Sequence, residues 1–312
     1  MDKNKTIAVV MGGPSAEGEI SLATGKSIAI ALRERGYQVK ELFLKPRNFS
    51  EQLKASGADV VFIAVHGLYG EDGRLQSALE MMEVPYTGSG VLASALSMNK
   101  IAAKRVFLGG IPTPDYLFLY RKDRDSRDMV KAITEKFTLP VVIKPASQGS
   151  SIGVTIEKDP ANLQKALDTA FEYDPEVLVE QYIAGSETSV CMMRQPDGSV
   201  KVWPVILVKP HAEWYDFKAK YTAGGVEHII PAPLPEEILT KLAEVSVKAY
   251  DVLGCAGVAR TDCIVGTDGT CYVLKMNTVP GMTPTSLVPD AAAAEGTTFG
   301  ELCEMILDSA HL

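Results

Sequence analysis

Two short runs near the C-terminus, Arg260-Thr261-Asp262 and Lys275-Met276-Asn277, carry a guanidinium, a carboxylate, an ammonium and an amide. An acid and an amide oxygen suit Mg²⁺, which takes carboxylate and carbonyl oxygens and keeps substrate phosphates in its shell. Arginine grips phosphate through two parallel hydrogen bonds. The same side chains also make an ordinary solvated face with an Asp–Lys pair of little worth, and the two runs alone do not separate these readings. What would position them is a hairpin. Asp268-Gly269 is a two-residue type I′ turn signal, because that turn needs positive φ at both central residues. With those residues at the tip, Thr267 faces Thr270, Asp262 faces Lys275 and Arg260 faces Asn277. Residues opposite each other share a face, so Arg260, Asp262, Lys275 and Asn277 are expected together at the open end. Thr261, Cys263, Val265, Tyr272, Leu274 and Met276 are left for a core-facing side. A Gly/Pro loop follows, through Gly281 to Ser286 and Leu287.

Other chemistry-bearing residues sit where strands give way to turns. Thr6 to Met11 is an apolar run that ends in Gly12-Gly13-Pro14-Ser15, with Glu17 just beyond and a helical pattern to Arg35. Val60 to Val65 ends in His66-Gly67, followed by Glu71-Asp72-Gly73 and a helix from about Arg74. In open α/β sheets functional groups gather at the carboxyl edge of the strands, which makes Glu17, His66 and Glu71 candidates. Taken singly, each also reads as a cap or a hydrogen-bonded loop residue. A helix is expected over about 91–108, carrying Lys100 and Lys104. Strand 139–144 leads through Lys144 into Gln148-Gly149-Ser150-Ser151-Ile152-Gly153 and a second strand, a flap whose amides and hydroxyls can donate to phosphate. It is not a Walker A loop, which needs Gly-Lys-Ser/Thr opening a helix. Glu180, at the end of strand 177–183, and Glu187 can accept from an adenine amino group or ribose hydroxyls. The stretch 210–225, polar and aromatic with terminal glycines, reads as a lid.

The chain is 312 residues with net charge −8, 46% hydrophobic and 22% charged. That length exceeds one ordinary core and points to two or three domains. The negative balance argues against a nucleic-acid coat. No stretch has the length and purity of a membrane span, and the N-terminus lacks the shape of a signal peptide. Five cysteines, odd in number and without a CxxC, read as reduced small hydrophobes. A cytoplasmic protein is expected.

These motifs, in this order over nearly the whole chain, resemble the D-alanine–D-alanine ligase family of the ATP-grasp superfamily. The residues that carry the likeness are Gly12-Gly13-Pro14-Ser15-Ala16-Glu17, His66 to Gly73, Pro85-Tyr86-Thr87-Gly88-Ser89-Gly90, Lys144 with Gln148 to Gly153, Tyr215-Asp216 with Lys220-Tyr221, Arg260 with Asp262, Asn277 to Thr283, and Ser286 to Pro289. The resemblance implies a three-domain ATP-grasp α/β fold with an open N-terminal α/β domain. Residues 1–98 would hold the first D-alanine. Residues 99–186 would carry the ATP flap. Residues 187–312 would carry the metal site, the second D-alanine site and the lid. It also implies ATP, Mg²⁺ (Mn²⁺ as a substitute), two D-alanines, no nucleic acid, no membrane, and a homodimer serving peptidoglycan precursor synthesis. By the same resemblance, Glu17, Ser150 and Tyr221 would form a hydrogen-bonded set at the first substrate's ammonium, with His66 near its carboxylate. Lys100, Lys144, Ser151 and Lys220 would meet the phosphates. Glu180, Tyr182, Ile183 and Glu187 would surround adenine and ribose. Arg260 and the Gly281 amide would form the oxyanion hole, Ser286 and Leu287 would receive the second D-alanine, and Asp262 and Asn277 would bind metal.

One position departs sharply. The family pattern is Leu-Glu-x-Asn, with the Glu bridging two Mg²⁺ ions, and this chain reads Leu274-Lys275-Met276-Asn277. A charged lysine donates three hydrogen bonds and accepts none. Its register places it against Asp262, where an ion pair would take the space of a metal. Impaired or altered catalysis, an engineered substitution, and a lysine standing in for one cation all fit that swap. The competing functions are an ATP- or D-amino-acid-binding pseudoenzyme and another ATP-grasp carboxylate–amine ligase. Smaller departures are Asn99 before Lys100, Gln148 in the flap and Thr285 before Ser286.

Overall fold

The computed structural model describes residues 1–210 and 226–312. Three sheets follow one another along the chain. The first is parallel, in the order β2-β1-β3, from β1 (Thr6–Met11), β2 (Gln38–Phe43) and β3 (Val60–Ile63). β1 and β3 are unbroken apolar runs buried on both faces, as parallel strands covered by helices must be. Helix Gly18–Glu34 packs on this sheet, and Gly36 ends it with φ +88°.

The second sheet runs β4-β7-β5-β6, from β4 (Tyr116–Tyr120), β5 (Val141–Pro145), β6 (Thr155–Glu157) and β7 (Glu176–Gln181). Its pairings are antiparallel, and helix Leu163–Tyr173 covers one face. The third is also antiparallel, β11-β10-β8-β12-β13, with β9 on the flank of β8. Its strands are β8 (Gly185–Arg194), β9 (Val200–Val202), β10 (Ile206–Pro210), β11 (Val226–Ile229), β12 (Val258–Gly266) and β13 (Cys271–Asn277). Helix Glu236–Val252 seals one side of this sheet through Leu242, Ala249 and Tyr250. The C-terminal helices Leu287–Ala294 and Phe299–Asp308 return to the first sheet, where Leu302, Ile306 and Leu307 share a core with Ile7, Val9 and Ile28. Among the described residues no helix is long and apolar enough to cross a membrane. All five cysteines are buried free thiols, and burial pushes Cys191 up to about 12 and Cys255 up to about 11.

Two local expectations need correction. The helix anticipated over 91–108 is two helices, Val91–Met98 and Lys100–Phe107, broken at Asn99. Asn99 leaves the helical region (ψ 103°), and its side chain accepts from the Ala102 amide, capping the second helix. Asparagine competes for backbone donors in this way more readily than it stays inside a helix. Lys100 is thereby the first residue of a helix rather than a mid-helix one.

The hairpin β12–β13 keeps the expected register at its open end, with Arg260 opposite Asn277 and Asp262 opposite Lys275. Its tip differs. Gly266 and Thr270 close a three-residue loop, Thr267-Asp268-Gly269, in which Gly269 takes φ +77° and Asp268 accepts from the Thr270 amide and hydroxyl. The one-residue offset is absorbed by a bulge between the Asp262 and Cys263 pairings. Beyond it Cys263 faces Val273 and Val265 faces Cys271, all buried. Leu274 and Tyr272, expected in the core, turn away from it.

Candidate active site

The second and third sheets enclose one cleft. Its walls from the second sheet are Val142 and Lys144 on β5, Ile156 on β6 and Glu180 on β7, with Val154 from the flap. From the third come Glu187 on β8, Asp262 and Ile264 on β12, and Leu274 and Lys275 on β13. The bulge accounts for the last pair. It presents two consecutive residues of β13 to one cleft, an apolar one for a flat ring and a cationic one. Tyr182 and Ile183 lie in the connection between β7 and β8 and line the same space. The lining combines apolar side chains with Lys100, Lys144 and Lys275, which suits an adenine base and a chain of phosphates.

Beneath the cations lies a buried ion network. Glu180 is 2% exposed; it pairs with Lys104 at 2.6 Å and with Lys144. Burial alone would raise the Glu180 carboxyl, but Lys144 and Lys104 hold it below the usual carboxylate range. Glu180 therefore fixes Lys144, and its oxygens face ammonium groups. Lys104, 1% exposed, also donates to Thr113 and to the Pro114 carbonyl. Removing one partner of such a pair leaves an uncompensated buried charge. Glu180→Ala is expected to destabilise the fold by about 3–5 kcal/mol, and joint replacement by Lys104→Met with Glu180→Leu to recover part of it, since Lys144 still loses Glu180. Urea unfolding of the single and double variants checks this.

Lys100 donates to the carbonyls of Gln148 (2.7 Å), Ala146 (3.2 Å) and Pro145 (3.5 Å), tying the flap to its helix. Burial, then the charges of Lys144 and Lys275, push its ammonium down to about 7. A polyphosphate arriving here favours the charged form. Nucleotide binding at pH 8 is expected to take up a proton, with affinity falling as pH rises through 7; at pH 6, where Lys100 is already charged, uptake vanishes. Titration calorimetry in buffers of different ionisation enthalpy measures it.

A second pocket adjoins the first, sharing Ser150, Asp262 and Lys275. It gathers Glu17, His66, Ser150, Arg260, Asn277, Gly281, Ser286 and Leu287, from all three parts of the chain. Glu17 accepts from the Ser150 hydroxyl. Ser150 and Ser151 both stand at positive φ, +49° and +61°, backbone strain of the kind that clusters at ligand clamps. A Cβ on Gly149 would lie 2.5 Å from Glu17 Oε2, so glycine is what lets the flap reach the acid. His66 is buried, with Nδ1 3.0 Å from the Val279 carbonyl and Nε2 2.9 Å from the Thr24 hydroxyl. Nδ1 thus ties the ring to the backbone loop that leads to Gly281, and Nε2 ties it to helix Gly18–Glu34. A Cβ on Gly281 would meet Ser286 Oγ at 2.8 Å, and Ser286 Oγ accepts from the Thr283 amide.

Between the pockets lies the polar patch. Arg260 donates to both Asp262 oxygens, at 2.7 and 3.0 Å; Ser189 donates to Oδ1 at 2.9 Å, and Lys275 Nζ stands 3.3 Å from Oδ2. Asn277 Oδ1 accepts from the Val279 amide. Tyr221 and Lys220, and the lid assigned to 210–225, lie outside the described residues apart from Pro210 at the end of β10. Of the other predicted residues, Ser151, Tyr182, Ile183 and Glu187 line the first pocket. Sequence reasoning missed Ser189, which faces Asp262 across β8–β12, and His228, which pairs with Asp290 at 2.7 Å beside Ser286. It also missed the apolar walls Val142, Ile156 and Ile264.

Known proteins with this arrangement share its ancestry. The D-ala D-ala ligase N-terminus family model matches residues 38–89, and the D-ala D-ala ligase C-terminus model matches residues 107–308. A D-alanine–D-alanine ligase of Syntrophotalea carbinolica is 45% identical over 311 residues, covering 99% of this chain and 97% of the relative. The chain belongs to the D-alanine–D-alanine ligase family. A Bacillus anthracis D-alanine–D-alanine ligase complexed with ATP superposes with TM-score 0.84 at 33% identity, covering 98% of this chain and 97% of that one. The VanG D-Ala:D-Ser ligase of Enterococcus faecalis does so at 0.83 and 27%, covering 98% and 99%. The architecture is therefore the ATP-grasp fold of this family, the fold the motifs implied.

Proposed function

We propose that this protein ligates two D-alanines to D-alanyl-D-alanine at the expense of ATP, for peptidoglycan precursor synthesis. One observation carries the assignment of roles: a cleft lined by apolar and lysine side chains and a carboxylate- and hydroxyl-lined pocket meet at Ser150, Asp262 and Lys275. A carboxylate bound in the second pocket would face the terminal phosphate of ATP bound in the first.

Glu17 receives the ammonium of the first D-alanine, steadied by Ser150. His66 holds the loop of Gly281 and so shapes the site of that substrate's carboxylate. Lys100, Lys144 and Ser151 take the phosphates, with Lys220. Tyr182, Ile183 and Glu187 take adenine and ribose, and Glu180 fixes Lys144 among them. ATP phosphorylates the first carboxylate, and the amine of the second D-alanine attacks the acyl phosphate. Arg260 and the Gly281 amide donate to the oxyanion of the tetrahedral intermediate, which expels phosphate. Ser286, Leu287 and the N-terminal amides of helix Leu287–Ala294 receive the second substrate's carboxylate. Tyr221 completes the Glu17–Ser150 set. Residues 1–98, 99–186 and 187–312 are the three working units.

Mg²⁺, with Mn²⁺ as a substitute, is the ion such chemistry uses, and Asp262 and Asn277 are the oxygen donors on this patch. They do not fit a pair of ions. A carboxylate offers about four acceptor sites, and two Arg260 donors, Ser189 and Lys275 already meet those of Asp262. No group of three or more acids, histidines and cysteines able to hold a metal exists among the described residues. A reduced, cytoplasmic homodimer completes the reading. Incubation with ATP, Mg²⁺ and D-alanine is expected to yield the dipeptide by mass spectrometry, and L-alanine to yield none. Equal product from both isomers would defeat it.

A further inference from the structure

Lys275 is the one cation that lines both pockets, among the described residues. Its ammonium is 3.3 Å from Asp262 and close enough to Lys100 to depress that group's protonation. The transferring phosphate must pass this junction. Around it stand Lys100, Lys144, Lys275 and Arg260; Lys144 is paired with the buried Glu180, and Asp262, the carboxylate shared by both pockets, has its acceptor positions facing protein donors. A divalent ion held by the protein here would have to displace Lys275 or Arg260 from that carboxylate. It would also have to sit beside an ammonium that repels it.

We infer that Lys275 serves as a built-in cation at the phosphate end, so that the protein binds nucleotide without a protein-held divalent metal. This rests on the nucleotide reading of the cleft. Metal-free nucleotide carries more negative charge than its Mg²⁺ complex. A site furnished with fixed cations instead of acids gains from that charge rather than suffering from it. The ammonium needs no loading from solution, is anchored by Asp262, and lies where the bulge of β13 delivers it to the cleft.

The test is calorimetric titration of ADP into the full-length protein, once with excess EDTA and once with millimolar Mg²⁺. The dissociation constants are expected to agree within about threefold. With Lys275→Met, a neutral side chain of similar length, affinity in EDTA is expected to fall about tenfold, and Mg²⁺ not to restore it. With Lys275→Glu, affinity in EDTA falls further and Mg²⁺ does restore it. A loss of tenfold or more on chelation in the unaltered protein would overturn the inference, as would an unchanged affinity of Lys275→Met in EDTA. In either case the cleft would still be a nucleotide site. Failure of ADP to bind under every condition would overturn the nucleotide reading itself, and this inference with it.

Discussion

Arg260→Ala is expected to lower kcat/KM for dipeptide formation by about 10²–10³-fold, a loss of about 3–4 kcal/mol of transition-state stabilisation. Three features of its setting require a large effect. The guanidinium is nearly buried, its side chain 13% exposed, so water cannot replace its charge. It is held in one orientation by a bidentate grip on Asp262, which pre-organises the donors. It lines the pocket that also contains Gly281, whose amide is the other proposed oxyanion donor. Removing it also strips two donors from Asp262, a buried acid. Arg260→Lys keeps the charge and loses the fork, so activity should fall between the two. Steady-state kinetics on D-alanine at saturating ATP reads this out. An Arg260→Ala protein with unaltered kcat/KM would remove the residue from the mechanism.

The second large effect runs the other way. Lys275→Glu is expected to raise ligase activity at saturating Mg²⁺ by about tenfold or more, or about 1.4 kcal/mol of barrier. A fixed ammonium supplies one charge at one place. An acid facing Asp262 across the same strand pair would add two oxygen donors where Asp262 now meets an ammonium. A metal bound there could neutralise charge on more than one phosphate and follow it through transfer. The substitution also removes a neighbouring cation from Lys100, so the depression of that ammonium should lessen. Equal activity of the two proteins would refute this account of the phosphate end.

Most of the site was legible because its chemistry sits at strand ends and in glycine turns, where residue type announces itself. Glu17, His66, Ser150, Gly281 and Ser286 all come from such places, and the structure brings them around one pocket. Strand alternation carried the open end of the hairpin, since Arg260, Asp262, Lys275 and Asn277 depend only on parity between two short runs. The tip escaped because Asp268-Gly269 satisfies a two-residue turn and also the end of a three-residue loop; the difference of one residue reappears as the bulge at Leu274. The break at Asn99 was hidden by helical residues on both sides. The Lys104–Glu180 pair joins residues far apart in sequence and leaves no periodic trace, so the hold of Glu180 on Lys104 and Lys144 was not legible. Val142, Ile156 and Ile264 carried no sign of their place, because a nucleotide cleft between two sheets is lined by the same residue types that fill a core.

The most direct measurement is phosphate release from ATP with Mg²⁺, with and without D-alanine, on this protein beside Lys275→Glu. The account predicts slow release that depends on D-alanine in the protein as it stands, and faster release with the same dependence in the variant. Release that ignores D-alanine, or no release from either protein, would contradict it and leave a nucleotide-binding protein in place of a ligase.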